Sequence, residues 1–264
     1  MRALVSGGSS GIGAATCLRI AEAALARDEQ AMIAVCGNTS NTGQEDVVRA
    51  IDAMGGTAIA LSGDLGDPDV PAQLVADAVH EFGGLDALVS NAGIAKPGAL
   101  TDVSLEDWDR MFSVNLRGAW LLAKAALPYL RDSSSGAACF VSSMSGQLPH
   151  AGSGAYSPSK AALTLLAQTL ALEWAPDGIR VNVVSPGMTR TGMTEQMYVD
   201  PEIKRAREGI IPLSRIGAPV DIANMIEFLI SPLSGYVTGQ DVCVDGGFSK
   251  SILSHIPGRP TSKS

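Results

Sequence analysis

The stretch Ser6-Gly7-Gly8-Ser9-Ser10-Gly11-Ile12-Gly13 follows a short apolar run at residues 1–5 and precedes a helix-like segment at residues 14–26. A short apolar run is typical of a buried parallel strand. A strand, a glycine-rich turn and a helix in this order form the context of a dinucleotide-binding fingerprint. Its glycines permit a tight turn, let backbone N–H groups approach a pyrophosphate and allow the helix to pack closely on the strand. A flexible Gly/Ser loop is the alternative, but the position directly after a first strand favours nucleotide binding.

Apolar strand-like runs and helix-like segments alternate along the rest of the chain. This alternation predicts an α/β fold with a doubly wound, seven-stranded parallel Rossmann sheet and helices on both faces. No repeat or linker interrupts it, so we expect a single domain over residues 1–264. The predicted strands are residues 1–5, 31–37, 57–61, 86–90, 137–142, 179–184 and 241–244, and the predicted helices are residues 14–26, 44–54, 69–82, 105–130, 155–175 and 220–230.

The composition agrees with a soluble enzyme, and the cysteine pattern suits a cytoplasmic one. A net charge of -8 over 264 residues argues against nucleic acid or an anionic membrane as a partner. No run approaches the roughly 18 apolar residues of a membrane span, and the first strand begins where a signal peptide would lie. The cysteines and histidines are scattered, which favours reduced thiols and no metal site. They are Cys17, Cys36, Cys139 and Cys243, with His80, His150 and His255.

The segment Tyr156-Ser157-Pro158-Ser159-Lys160 places a Tyr and a Lys four residues apart, on one face of a helix. There an ammonium group stabilises a phenolate, so that a hydroxyl with an ordinary pKa of about 10 could act as an acid or base near neutral pH. Such a pair is also common on helix surfaces. Ser143, thirteen residues upstream at the end of an apolar run, and the glycine-rich turn favour an oxidoreductase.

Ligands gather at the carboxyl ends of parallel strands, which indicates further positions. At the end of the second strand, Gly37 stands where an NAD-selective site would carry an acidic residue, and it is expected to leave space for a 2′-phosphate. Neutral donors on Asn38, Thr39 and Ser10 favour NADP(H) over NAD(H), although no Arg or Lys stands ready to pair with the phosphate. Asp64 either holds the adenine amino group or caps a helix.

These motifs, in this order and spacing, resemble those of the short-chain dehydrogenase/reductase family over nearly the whole chain. The resembling branch includes 3-oxoacyl thioester, sugar, steroid and ketone reductases. The motifs that carry the resemblance are Ser6-Gly7-x-x-x-Gly11-x-Gly13, Asn91-Ala92-Gly93, Asn115, Ser143, Tyr156-x-x-x-Lys160, Pro186-Gly187, Tyr236-Val237-Thr238-Gly239 and Val244-Asp245-Gly246-Gly247.

The resemblance implies a role for each matched residue. Tyr156 would be the general acid in reduction and the general base in oxidation, while Lys160 would lower its pKa and bind the nicotinamide ribose. Ser143 would polarise the carbonyl, and Asn115 would bend its helix and hold a water in a proton relay. The implied cofactor contacts are Gly7, Ser9, Ser10, Gly11, Ile12, Gly13, Asn38, Thr39, Asp64, Leu65, Asn91, Ala92, Gly93, Tyr156, Lys160, Pro186, Gly187, Thr189 and Thr191.

Three positions depart from the family pattern. Ser6 replaces the usual Thr but keeps a hydroxyl, and Thr189 stands where an Ile or Val normally packs near the nicotinamide carboxamide. Ser10 occupies the place of the basic residue that NADP-preferring members carry in the glycine turn. Pro158 lies inside the Tyr–Lys segment, which a helix tolerates only in its first turn.

The resemblance implies a substrate lid at about residues 188–212. Met193, Met197 and Tyr198 would form its adaptable apolar surface, or else the buried face of a short helix. Gln147 and His150 could reach the substrate, with His150 as a second acid or base the less favoured idea. A family member that docks an acidic carrier protein would show basic residues at the site's rim, and residues 131–135 and 176–178 are not basic overall.

We therefore expect a free small-molecule ketone, aldehyde or secondary alcohol as the substrate, with a 3-oxoacyl thioester as the alternative. A catalytically silent dinucleotide sensor is a hypothesis of another class, although such proteins tend to lose the Tyr or the Lys. The helices at residues 105–130 and 155–175 are apolar enough to bury a face against another subunit. The resemblance implies a homotetramer, with a dimer as the alternative. The extension at residues 249–264 either covers a neighbouring subunit's site or is a mobile end.

Overall fold

The computed structural model describes residues 1–39 and 42–256. They form one seven-stranded sheet, in which every strand pair is parallel and the order is β3-β2-β1-β4-β5-β6-β7. The predicted fold class is confirmed, and each strand lies within two residues of its predicted bounds. The strands are β1 (Arg2–Ser6), β2 (Met32–Gly37), β3 (Thr57–Ser62), β4 (Ala87–Ser90), β5 (Ala137–Val141), β6 (Arg180–Pro186) and β7 (Asp241–Val244).

Eight α-helices connect or follow the strands in the described part of the chain. Five of the six predicted helices are confirmed to within three residues at each end. The helices are α1 (Gly11–Leu25), α2 (Thr42–Ala53), α3 (Val70–Phe82), α4 (Leu105–Phe112), α5 (Ala119–Arg131), α6 (Tyr156–Trp174), α7 (Pro201–Ile210) and α8 (Pro219–Ile230).

The predicted continuous helix at residues 105–130 is wrong in one respect. A π-helical segment, Ser113–Gly118, separates α4 from α5. A Cβ atom on Gly118 would lie 2.6 Å from the carbonyl oxygen of Leu65, so the loop after β3 packs directly on this segment. Such π-bulges are frequent at functional sites, and this one carries Asn115.

Helices cover both faces of the sheet. One face packs against α3, α5 and α6, with Phe140 and Leu122 fully buried between the layers. The other face packs against α1, α2 and α8, with Ile20 and Ile33 fully buried. None of the helices in the described part is long and apolar enough to cross a membrane.

The strand order reverses between β1 and β4, since β2 and β3 extend to one side of β1 and β4 to β7 extend to the other. In open parallel sheets of this kind, ligands bind at the carboxyl ends of the strands beside this point. The glycine-rich turn follows β1 there, and the segment of residues 91–93 follows β4. The fold therefore places the predicted nucleotide site at the switch point.

The chain continues past β7 in two short 3-10 turns, Phe248–Lys250 and Ile252–His255. Ile252 and Leu253 are exposed, whereas Ser251 is buried and its hydroxyl donates to the carbonyl oxygen of Phe248 at 2.8 Å. Residues 257–264 of the predicted extension lie outside the described residues.

Candidate active site

The glycine-rich turn closes tightly against the loop after β4. Gly7 and Gly11 have φ angles of 65° and 53°, which favour glycine. A Cβ on Gly13 would lie 2.7 Å from the Asn91 amide nitrogen, so α1 approaches the turn as closely as the sequence predicts. Ser10 is the N-cap residue of α1, but within the described part of the chain its side chain makes no capping hydrogen bond to the first turn. The backbone N–H groups of this first turn of α1 are therefore suited to binding a phosphate group.

Ser6 ties the turn to the strand beside it. Its hydroxyl oxygen accepts hydrogen bonds from the backbone N–H of Asn91 at 3.0 Å and of Ala92 at 3.1 Å. The Asn91 side chain donates in return to the carbonyl oxygens of Ser6 and Gly7, at 3.0 and 3.1 Å. The departure from Thr at position 6 therefore preserves the hydroxyl that anchors the loop after β4.

Gly93 lies between the nucleotide loop and the catalytic candidates. A Cβ on Gly93 would lie 3.1 Å from Lys160 Nζ and 3.3 Å from Asn115 Oδ1. The three residues come from the loop after β4, the π-helical segment and α6. The fold thus brings the predicted Lys and Asn together beside the predicted nucleotide loop.

Asn115 is fully buried, and both the oxygen and the nitrogen of its side-chain amide bind the loop after β4. Its Oδ1 accepts from the backbone N–H of Ile94 at 2.8 Å, and its Nδ2 donates to the carbonyl oxygen of Ile94 at 3.0 Å. Nδ2 also donates to the hydroxyl of Ser159 at 3.0 Å. Asn115 therefore links the π-helical segment to the start of α6.

Tyr156 opens α6, and the Lys160 ammonium lies over its ring at 5.9 Å from the centroid. Pro158 is the third residue of this helix, so it lies in the first turn, as required. The two side chains share a face of the helix, as the spacing predicts. Lys160 Nζ also donates to the carbonyl oxygen of Val141 at 2.8 Å, which fixes the ammonium at the end of β5.

Ser143 follows β5 and faces Tyr156. Its Oγ accepts a hydrogen bond from the backbone N–H of Ser145 at 3.1 Å, and it is 8% exposed. This bond occupies a lone pair of the hydroxyl oxygen and leaves its hydrogen free to donate. Burial raises the pKa of the Tyr156 phenol, and a hydrogen bond from Ser143 offsets part of that rise.

Burial dominates the protonation of both residues on α6. It raises the pKa of Tyr156 above its ordinary value, and it lowers the pKa of Lys160 to about 8. The sequence-based expectation was that Lys160 lowers the phenol pKa. In the structure burial of the phenol outweighs the hydrogen bond from Ser143, so the net shift of its pKa is upward, and the lowering by Lys160 stays a prediction.

The end of β2 differs from the expectation that Gly37 leaves an open space. A Cβ on Gly37 would lie 2.8 Å from Gln44 Cδ, because the Gln44 side chain fills the space from α2. Asn38 and Thr39 are exposed beside it. Gln44 is missing from the predicted site because the sequence does not show that this polar side chain is buried.

Asp64 is engaged in an ion pair. Its Oδ2 lies 2.9 Å from Arg110 Nη1 of α4, and its Oδ1 accepts from the N–H of Gly66 at 2.8 Å. The hydrogen bond from Arg110 lowers the pKa of this carboxyl group. The helix-capping alternative is wrong, because Asp69 precedes α3. Leu65 next to it is buried in the core.

The loop after β6 reaches back over the glycine turn. A Cβ on Gly11 would lie 3.4 Å from the Thr191 side chain, so these two predicted cofactor contacts face each other. Thr189 is buried, and its hydroxyl donates to the carbonyl oxygen of Gly187 at 3.2 Å. Pro186 ends β6, and the backbone N–H of Gly187 donates to the carbonyl oxygen of Val244 at 2.9 Å.

The predicted lid contains the helix α7, which the sequence analysis missed. The buried-face prediction is wrong for two of the three apolar residues before it, and their role as a substrate lid stays a prediction. Tyr198 is buried, whereas Met193 and Met197 are 55% and 41% exposed. Asp200 caps α7 by accepting from the N–H of Glu202 at 2.8 Å, and the Asp-Pro start signal could have located this helix.

The two further substrate candidates have protein partners. Gln147 is exposed, and its Nε2 donates to Asp241 Oδ2 at 2.6 Å. His150 is exposed, with Nε2 3.2 Å from the Ser145 hydroxyl and Nδ1 3.2 Å from the carbonyl oxygen of Ala151. His150 thus contacts the loop that carries Ser143 and does not contact Tyr156 in any hydrogen bond of the described residues.

Residues 131–135 and 176–178 do not border this site, contrary to the expectation. They precede β5 and β6 and lie at the amino edge of the sheet, whereas Tyr156 follows a strand at the carboxyl edge. Arg131 and Asp177 form an ion pair of 2.7 Å there. Their charges therefore do not bear on access to the site within one chain.

Other ionisable groups offer little competing chemistry. Burial raises the pKa of the Cys36 and Cys139 thiols to about 12, and it raises that of the fully buried Cys17 as well. In residues 1–39 and 42–256, no three His, Cys, Asp or Glu side chains lie close enough together to hold a metal ion.

Several known proteins are similar to this chain in sequence. A family model described as Enoyl-(Acyl carrier protein) reductase matches residues 7–249. A 2,5-dichloro-2,5-cyclohexadiene-1,4-diol dehydrogenase of Sphingobium indicum is 38% identical over 250 residues, covering 95% of this chain and 96% of its own. A 3-oxoacyl-[acyl-carrier-protein] reductase of Synechocystis sp. is 36% identical over 246 residues, covering 93% of this chain and 95% of its own.

Solved structures agree with these relatives. A short-chain type dehydrogenase/reductase from Mycobacterium marinum is 35% identical, with a TM-score of 0.85, and the match covers 94% of this chain and 95% of that one. A short chain dehydrogenase from Burkholderia cenocepacia in complex with NADP is 36% identical, with a TM-score of 0.83, and the match covers 94% and 97%. The chain therefore belongs to the short-chain dehydrogenase/reductase family and is an oxidoreductase of that family.

Proposed function

We propose that the protein is an NADP(H)-dependent alcohol dehydrogenase or carbonyl reductase that interconverts a small ketone or aldehyde and its alcohol. The observation that carries this proposal is the convergence of Ser143, Tyr156 and Lys160 at the carboxyl edge, next to the nucleotide loop. Gly93 lies where the nucleotide loop meets the catalytic residues, since a Cβ atom on Gly93 would be 3.1 Å from Lys160 Nζ.

The cradle suits a dinucleotide. The first turn of α1 starts at Gly11 without a capping side chain among the described residues, and Thr191 lies over that same glycine. When bound, the nicotinamide nucleotide supplies or accepts the hydride. The turn would hold the pyrophosphate, while the loops at residues 91–93 and 186–191 would line the ribose and nicotinamide.

Tyr156 and Ser143 act on the substrate oxygen. In reduction the Tyr156 hydroxyl donates its proton to this oxygen as negative charge develops, and the Ser143 hydroxyl donates a second hydrogen bond. Burial raises the pKa of Tyr156, so the phenol carries at neutral pH the proton that reduction needs, although burial also makes it a weaker acid than in water. In oxidation the phenolate accepts the same proton.

Lys160 and Asn115 assist Tyr156 without binding the substrate oxygen themselves. With a pKa of about 8, Lys160 is mostly protonated at neutral pH, and its charge over the Tyr156 ring favours the phenolate that forms in reduction. We assign it the nicotinamide ribose as a second partner. Asn115 would hold the water that passes protons to Lys160. Its Oδ1 and Lys160 Nζ face the same point, since a Cβ atom on Gly93 would lie 3.3 Å from the one and 3.1 Å from the other.

NADP(H) is the proposed cofactor rather than NAD(H). The end of β2 carries no acidic side chain at Gly37, Asn38 or Thr39, so nothing there repels a 2′-phosphate. The neutral groups of Asn38, Thr39 and Ser10 can donate hydrogen bonds to it. The Burkholderia cenocepacia relative, which binds NADP, supports this choice.

A free small molecule is the proposed substrate class. The Sphingobium indicum relative is named for a cyclic diol, which favours a secondary alcohol or its ketone. The second candidate is a 3-oxoacyl thioester, which the Synechocystis relative favours. Turnover of acetoacetyl carrier protein far above that of any small ketone would establish the second candidate in place of the first.

The proposal is tested by following nicotinamide absorbance during turnover of a panel of ketones, aldehydes and secondary alcohols. NADPH and NADH are compared in parallel at equal concentration. We expect turnover that is faster with NADPH. Tight binding of nucleotide with no turnover of any compound, acetoacetyl carrier protein included, would instead identify a catalytically silent sensor.

The assembly proposed is a homotetramer, with a dimer as the alternative. A groove of about 780 Å³ runs between α6 and the helices before it, lined by apolar side chains that include Trp120, Leu165 and Leu166. Trp120 and Leu165 are 44% and 66% exposed. Burying this groove against a second copy would remove that apolar surface from water. The cytoplasm is the proposed location, because the cysteines are free thiols.

A further inference from the structure

The side chain of Gln44 joins the carboxyl ends of β2 and β3. It is 1% exposed, and its Nε2 donates to the carbonyl oxygens of Val35 at 3.1 Å and Leu61 at 2.7 Å. Its Oε1 accepts from the hydroxyl of Ser62 at 3.3 Å. Two strands and one side chain therefore fix the amide in a single orientation.

The same amide occupies the space over the last residue of β2. A Cβ on Gly37 would lie 2.8 Å from Gln44 Cδ and 2.9 Å from its Oε1. Any side chain at position 37 must therefore displace an amide whose two Nε2 hydrogens already bind strand carbonyl oxygens. Leaving those buried oxygens without their donor carries a cost of its own.

Position 37 matters for the nucleotide. In dinucleotide-binding sheets, an acidic side chain about 20 residues after the glycine turn binds the ribose hydroxyls of NAD. In this chain the end of β2 is that place, and the described residues there carry no carboxylate.

We propose that Gln44 is a specificity-determining residue: its amide fills the space that a side chain at position 37 would need, and so excludes from the end of β2 the carboxylate that would repel the 2′-phosphate of NADP(H). It acts through Gly37 and touches no reacting atom. This inference rests on the proposed function, since it concerns the cofactor of that same site.

The test is a double-mutant cycle of Gly37→Asp and Gln44→Ala, read out by thermal unfolding and by fluorescence titration with NADPH and with NADH. Gly37→Asp alone should lower the Tm by roughly 5 °C, because the new side chain collides with the amide. Adding Gln44→Ala should recover much of this loss. The double variant should also shift the ratio of NADPH to NADH affinity at least tenfold towards NADH.

Gln73→Ala is the matched control. Gln73 is an exposed residue of α3 whose Nε2 binds Asp77 Oδ1 at 2.6 Å, far from β2 in sequence. Combined with Gly37→Asp, Gln73→Ala should not restore the lost Tm and should not change the ratio of NADPH to NADH affinity.

The outcomes separate two kinds of failure. If the wild type binds NADPH more tightly, but Gly37→Asp is as stable as the wild type or the double variant keeps the original ratio, the role of Gln44 is overturned and the proposed function stands. If the wild type binds neither nucleotide, the proposed function fails and the specificity role fails with it. A wild type that prefers NADH overturns the cofactor preference and this inference together.

Discussion

Burial acts in opposite directions on Tyr156 and Lys160. It disfavours the phenolate and the ammonium alike, so it raises one pKa and lowers the other to about 8. The Tyr-x-x-x-Lys spacing predicts the contact between the two side chains, but the sequence carries no measure of how deeply they are buried. The spacing alone therefore could not predict that burial raises the pKa of Tyr156 overall.

The shift of Lys160 predicts a pH dependence of stability. Its pKa falls from 10.5 to about 8 on folding, so between these values the unfolded chain binds more protons than the folded chain. The contribution of Lys160 to the free energy of unfolding therefore rises from about pH 8 to pH 10.5. Relative to a Lys160→Met variant, the wild type should gain stability across this window, as measured by urea unfolding at several pH values.

A matched comparison isolates this effect. The buried thiols, with raised pKa values, act in the opposite direction above pH 9, but they are common to both proteins and cancel in the difference. Lys124→Met, at an exposed position of α5, should show no such window. An equally flat difference for Lys160→Met would show that Lys160 is not desolvated in the folded chain.

At the scale of elements, the π-helical segment and the start of α6 form one unit through Asn115. The Asn115 amide binds both backbone groups of Ile94 and the hydroxyl of Ser159, which in turn donates to the carbonyl oxygen of Tyr156 at 2.7 Å. These hydrogen bonds therefore join the loop after β4, the irregular helix and the Tyr-bearing turn.

Removal of this link should destabilise the protein. Asn115→Ala leaves the N–H and carbonyl groups of Ile94 without partners, so we expect the free energy of unfolding to fall by about 1–3 kcal/mol. Urea unfolding measures the change. Asn224→Ala, at an exposed position of α8, should alter it by less than about 0.5 kcal/mol. Equal, small effects of the two substitutions would refute the linking role of Asn115.

Sequence reasoning located most elements but not their tertiary partners. The glycine-rich turn and the alternation of apolar runs suffice for the sheet, because a parallel strand buried on both faces is apolar throughout. Helix α7 escaped notice because none of its residues is buried, so no apolar stripe marks it. Gln44 and the Asp64–Arg110 pair depend on contacts between distant segments, which no local pattern reveals.

At the scale of the whole molecule, the proposed tetramer rests on the apolar groove beside α6. Leu165→Arg would place a charge in this apolar surface, so we expect the tetramer to give way to smaller species in sedimentation velocity. Leu25→Arg, at the far end of α1, is the comparison and should leave the assembly unchanged. A tetramer that survives Leu165→Arg would mean that the subunits associate through another face.

The central claim is that Tyr156 is the acid and base of an oxidoreductase, and kcat of Tyr156→Phe tests it most directly. Tyr236→Phe is the control, since Tyr236 is fully exposed. We expect kcat to fall roughly 10²–10⁴-fold in Tyr156→Phe, with NADPH affinity unchanged, because only the proton donor is lost. A Tyr156→Phe enzyme that keeps more than about a tenth of the wild-type kcat, like Tyr236→Phe, would contradict the account.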